Sequence, residues 1–75
     1  MDYDALTKKI IDRMKEVLVA RKTELIDFVK GDINPEDPKV VVGNILSELT
    51  QKGFITPLYA SESTFAITQK GMKNR

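Results

Sequence analysis

Asp37-Pro38-Lys39-Val40-Val41-Val42-Gly43-Asn44-Ile45-Leu46-Ser47-Glu48-Leu49-Thr50-Gln51-Lys52-Gly53-Phe54-Ile55-Thr56-Pro57 is the stretch that decides the fold. Asp37 is suited to cap a helix, and Pro38 suits the first helical position, where its missing N–H costs nothing. Val42, Ile45, Leu46 and Leu49 recur at spacings of three and four and form one buried stripe. Gly53 follows Lys52 where a chain leaves a helix in the left-handed conformation. Phe54 is then placed to fold back on Leu49, as in a Schellman ending. The pattern predicts a helix over about 38–52. After it the apolar period changes from 3.6 to 2. Residues 54–60 and 64–68 read as two short strands joined by the polar turn Ser61-Glu62-Ser63, an antiparallel hairpin spanning about 54–69. Pro57 confines the first strand to an edge or a bulge.

On the N-terminal side, Tyr3, Leu6, Ile10, Met14, Val17 and Leu18 align on one face and predict a helix over about 3–18, with Asp2 or Asp4 near its start. A shorter helix is expected over about 23–30. Thr23 would cap it, Leu25, Ile26, Phe28 and Val29 would supply its buried face, and Gly31 would stop it. Val19 to Lys22 reads either as an extended connector or as a one-bridge strand. Asp32 to Asp37 is a polar connector anchored by Ile33. Its acidic spacing does not fit a calcium loop, because Asp37 stands where the Gly is needed and Gly43 where the final Glu belongs.

Composition limits what such a chain does. Its 75 residues, 41% hydrophobic and 31% charged, predict one small soluble domain over residues 1–75. With neither cysteine nor histidine, disulfides, thiol catalysis and the commonest general base and metal ligand are excluded. No Gly-rich phosphate loop and no nucleophile beside a base is present, so an enzyme, a metal site and a cofactor are not expected. No membrane span or leader peptide is read from the sequence, and a cytoplasmic location is expected. The net charge of +1 hides an asymmetry. Residues 1–22 carry +2, residues 23–37 carry −4, residues 38–69 are neutral, and the last six residues carry +3. A basic surface therefore has to come from the two ends of the chain.

Helix, helix, turn, helix and hairpin together resemble a winged helix-turn-helix domain. Locally, Asn44 to Ile55 looks like the end of a recognition helix entering a first wing strand. Thr64-Phe65-Ala66-Ile67-Thr68-Gln69-Lys70-Gly71 looks like the second wing strand with its closing Thr-x-Lys-Gly. Both are similar to small bacterial and archaeal regulators of the MarR, ArsR and PadR kinds. The resemblance implies an α+β, mainly α fold of three helices followed by a two-stranded antiparallel wing. It also implies a transcription regulator that binds double-stranded DNA as a homodimer, for which the first helix is the only element long enough to form the interface. The wing tip carries Glu62 where such proteins usually have Arg or Lys.

On the third helix, the face opposite the buried stripe carries Val40, Asn44, Ser47 and Gln51, with Gly43 and Glu48 beside them. Asn44 and Gln51 suit adenine edges, Ser47 suits several bases, and Val40 suits a thymine methyl. Lys39 suits a phosphate, as do Lys70, Lys73 and Arg75 in the basic tail. Two other readings stand beside this one. The face is a polar solvent face and the tail a solvated end, or Val40 marks a protein-binding patch on an interaction module of a larger transcription, replication or trafficking assembly. Tyr59 and Phe65 read as cross-strand core partners or, less simply, as a base-stacking platform.

Overall fold

The computed structural model describes residues 3–33, 37–58 and 63–73. Along the chain run α1 (Tyr3–Val17), β1 (Val19–Arg21), α2 (Lys22–Val29), a 3₁₀ turn (Lys30–Asp32), α3 (Pro38–Gln51), β2 (Ile55–Pro57), β3 (Thr64–Ile67) and α4 (Gln69–Lys73). The fold is α+β and mainly helical, with one small antiparallel sheet of order β1-β3-β2. The expected three helices and two strands are corrected to four α-helices and three strands among the described residues.

The additional strand is Val19–Arg21, paired with β3 in the register Val19↔Ala66, Ala20↔Phe65, Arg21↔Thr64. The ladder is extended at both ends. The Ile67 N–H donates to the Leu18 carbonyl (3.0 Å), and the Lys22 N–H donates to the Ser63 carbonyl (2.7 Å). That second bond explains why α2 begins at Lys22 and not after a Thr23 cap. Arg21 is the N-cap and makes no side-chain cap bond, because the hairpin already satisfies one of the helix's orphan N–H groups. β2 pairs with β3 as Ile55↔Ile67, Thr56↔Ala66 and Pro57↔Phe65. Pro57 thus sits on an edge strand, where its missing N–H is tolerated. Tyr59 and the turn residues Ser61 and Glu62 lie outside the described residues.

Gly31 does not end α2 in the left-handed conformation; among the described glycines only Gly53 has positive φ. The helix tightens into the 3₁₀ turn, and the Ile33 N–H returns to the Lys30 carbonyl at 3.3 Å. Burial of Val29 and Ile33, at 0% and 6% exposure, holds this turn against the core. α1 likewise ends one residue early. Leu18 takes φ 68 and is exposed, so it leaves the expected core face while Ile11 joins it. Phe28 also leaves the core: the buried stripe of α2 is Leu25 and Val29. The Phe28 ring lies outside, with Lys9 Nζ 5.1 Å and the Arg13 guanidinium 5.3 Å from its centroid. These cation–π contacts cover a ring that the helix periodicity leaves at the margin.

α3 follows its local chemistry closely. The Lys39 N–H donates to Asp37 Oδ1 at 2.9 Å, and Pro38 occupies the first turn. At the other end, Phe54 N–H donates to the Leu49 carbonyl and Gly53 N–H to the Thr50 carbonyl, both at 3.0 Å. Gly53 has φ 80. This is the complete Schellman pair. Val41, Val42, Ile45, Leu46 and Leu49 are buried, and they join Leu6, Ile10, Met14, Leu25, Ile55 and Phe65 in one core.

Residues 69–73 of the tail form a helix, with Lys70 and Lys73 exposed on it. Thr68 Oγ1 accepts the Gly71 N–H at 3.1 Å, which caps α4. The same hydroxyl lies 2.6 Å from the Gly53 carbonyl oxygen and 3.0 Å from that of Phe54, and the Thr68 N–H donates to the Phe54 carbonyl at 3.0 Å. One threonine therefore joins the end of α3, the sheet and α4. Gly71 is buried against this junction, and its lack of a side chain lets α4 approach the Phe54 backbone. No helix among the described residues is long and apolar enough to cross a membrane.

Candidate nucleic-acid interface

With α3 seated by its apolar stripe, helical geometry turns its other side outward. Lys39, Val40, Asn44, Ser47 and Gln51 are all exposed, and Val40 retains 58% of its surface. The sequence-predicted reading face is therefore assembled on one side of one helix. Glu48 stands beside it and pairs with Lys52 at 2.9 Å.

Gly43 is partly covered. The Lys22 side chain crosses from the start of α2 and lies over it, so that a Cβ on residue 43 would be 3.1 Å from Lys22 Nζ. Lys22 thereby places a cation in the middle of the α3 face. Lys22 is absent from the sequence-predicted set. The only hint in the sequence is the positive balance of residues 1–22, since the meeting of residues 22 and 43 depends on how α2 packs against α3. Beside Lys22, a groove of about 440 Å³ opens between α3 and the hairpin.

The basic tail is not contiguous with Lys39. Lys70 Nζ sits 5.4 Å from the Phe54 ring centroid, and Lys70 Cδ would be 3.8 Å from a Cβ at Gly53. Lys70 thus belongs to the C-terminal end of α3, while Lys39 stands in its first turn. Fourteen residues of helix, about 20 Å, lie between the two ends. Lys73 is exposed on α4, and Arg75 lies outside the described residues. Apart from Lys52, which is paired with Glu48, the cations along α3 run Lys39, Lys22 and Lys70, one at each end and one near the middle.

Compared with family models, curated proteins and solved structures, the chain matches none. The functional reading consequently rests on the site itself.

Proposed function

We propose that the protein is a winged-helix DNA-binding protein, a transcription regulator that inserts α3 into the major groove. The observation that carries this reading is the exposed row Val40, Asn44, Ser47 and Gln51 on a helix whose other side is core. Amide, hydroxyl and small apolar side chains in that row suit base edges and thymine methyls. Lys39 and Lys70 at the two ends of α3, with Lys22 between, suit phosphates on either side of a groove about 12 Å wide. The element order and the sheet joining β1 to the hairpin support a winged-helix arrangement. The protein acts as a homodimer joined through α1, since one helix face reads only a few base pairs.

A titration of isotopically labelled protein with random duplex DNA at low salt tests the surface. Amide shifts should centre on residues 39–51 and on Lys22. Shifts confined to the outer face of α1, or none at all, would remove the proposal. For a preferred site, Asn44→Ala should weaken binding by about 1–3 kcal/mol with non-specific binding nearly unchanged. Lys39→Ala should weaken all sequences alike.

The exposed Val40 favours one other reading, a winged-helix module that docks a protein through α3. In that case Val40→Asp abolishes partner capture while Asn44→Ala and Ser47→Ala change nothing in a DNA assay.

A further inference from the structure

The groove between α3 and the hairpin has a chemistry of its own. It is lined by Lys22, Gly43, Leu46, Ser47, Thr50, Gln51, Pro57 and Phe65. Leu46, Pro57 and Phe65 give it an apolar floor and wall. Its polar groups are few and separable by role. The Thr50 hydroxyl already donates to the Leu46 carbonyl at 2.8 Å, so among the described lining residues the side-chain donors left for a guest are the Lys22 ammonium, the Ser47 hydroxyl and the Gln51 amide. Among the described residues that line the groove none is acidic. Lys9, Arg13, Lys30 and Lys52 are held in ion pairs, and none of these pairs involves Lys22.

We infer that this groove is a binding site for a small organic monocarboxylate, its carboxylate on Lys22 and its apolar body against Leu46, Pro57 and Phe65. A single cation with no carboxylate partner among the described residues selects a single negative charge. A dianion such as phosphate would have only that one cation and no use for the apolar floor. The volume, about 440 Å³, falls within the usual range of small-molecule sites and is roughly that of fifteen water molecules. This suits an aromatic or branched acid of about ten to fifteen non-hydrogen atoms. The inference goes beyond the DNA reading and does not require it. If both hold, ligand and duplex exclude one another, because Ser47 and Gln51 belong to the groove wall and to the outward face of α3.

The test uses free protein and two probes, 3-phenylpropanoate and its uncharged amide, followed by amide chemical shifts. A ligand of this size supports a low-millimolar Kd. The acid should shift Gly43, Leu46, Ser47 and Phe65 and saturate below about 20 mM. The uncharged amide should bind at least about fivefold more weakly. Lys22→Gln should reduce the acid to the affinity of the amide while leaving the amide unchanged. Gly43→Ala, which removes a helix-interior glycine and crowds Lys22 Nζ, should keep the fold and also weaken the acid. Equal affinity for acid and amide, insensitivity to Lys22→Gln, or shifts centred away from the groove would each overturn the inference. DNA binding enters none of these readouts, so their failure and the failure of the DNA reading are separate results.

Discussion

Replacing Gly71 with alanine should be the most damaging single-methyl change in the molecule. A Cβ at that position would overlap the Phe54 carbonyl oxygen outright and would lie 2.8 Å from Ile67 Cγ1 and 3.0 Å from the Phe54 carbonyl carbon. The nearest obstacle is backbone, so it cannot swing aside as a lysine tip does. α4 must instead move away. Over-packing of this kind costs about 1–3 kcal/mol. Separation also strains the Thr68 junction, where the Gly71 N–H, the Thr68 hydroxyl and the Thr68 N–H all find partners. Losing one of those bonds adds about 0.5–1.5 kcal/mol. The expected total is about 2–4 kcal/mol, against a stability of roughly 4–11 kcal/mol for a domain this size. At about 4–8 °C per kcal/mol, Tm should fall by roughly 8–30 °C. Thermal and urea unfolding followed by circular dichroism measure this directly. Gly31→Ala is the control, because nothing lies within 4 Å of the added methyl and φ there is not positive. It should be neutral or stabilising. A Gly71→Ala protein melting within about 2 °C of the parent would show that α4 is not seated on the Phe54 carbonyl.

Three other outcomes are expected. Gly53→Ala should cost about 1 kcal/mol, an intermediate value, because its φ of 80 disfavours a side chain while the only neighbour, Lys70 Cδ at 3.8 Å, is ordinary contact; a stabilised variant in urea unfolding would contradict the Schellman geometry. Leu18→Gly should stabilise by about 0.5–1 kcal/mol, since Leu18 holds φ 68 while 52% exposed; a loss above about 1 kcal/mol would mean that the side chain is buried in solution. If Lys22, Lys39 and Lys70 are the main phosphate contacts, the log–log salt slope of duplex binding should lie near −2 to −4 per chain, and a slope near −8 would require a much larger basic surface.

α3 was legible in the sequence to within a residue. Its ends are set by local chemistry: an Asp cap, a proline in the first turn, and a glycine-phenylalanine exit. Its outward face then follows from periodicity alone. Elements held by distant partners were legible only as one of two alternatives, as for Val19 to Lys22, or not at all. Val19–Arg21 is too short to show a period, and its strand identity comes from residues 64–66. The helix at Gln69–Lys73 depends on the Thr68 hydroxyl and on a gap that only Gly71 leaves. Phe28 and Leu18 look like core residues by type, yet one lies at the margin of its helix stripe and the other is turned outward by its backbone. Lys22 completes the candidate site for the same reason that it escaped notice, because it arrives from another helix.

The pairing of β1 with β3 also sets an order of events when the chain folds. Joining Ala20 to Phe65 closes a loop of about 45 residues, whereas joining Pro57 to Phe65 closes one of about eight. The longer closure costs about 1.5 kcal/mol more in chain entropy, so the hairpin should assemble first and β1 should add to it late. β1 would then act as a latch closed after the barrier. Ala20→Gly should accelerate unfolding and leave the folding rate almost unchanged, while Leu49→Ala slows folding. Stopped-flow chevrons distinguish the two, and a slowed folding limb for Ala20→Gly would place the latch before the barrier. On this account the lifetime of the native state is governed from a three-residue strand, and small changes there retune persistence without touching the face that α3 presents.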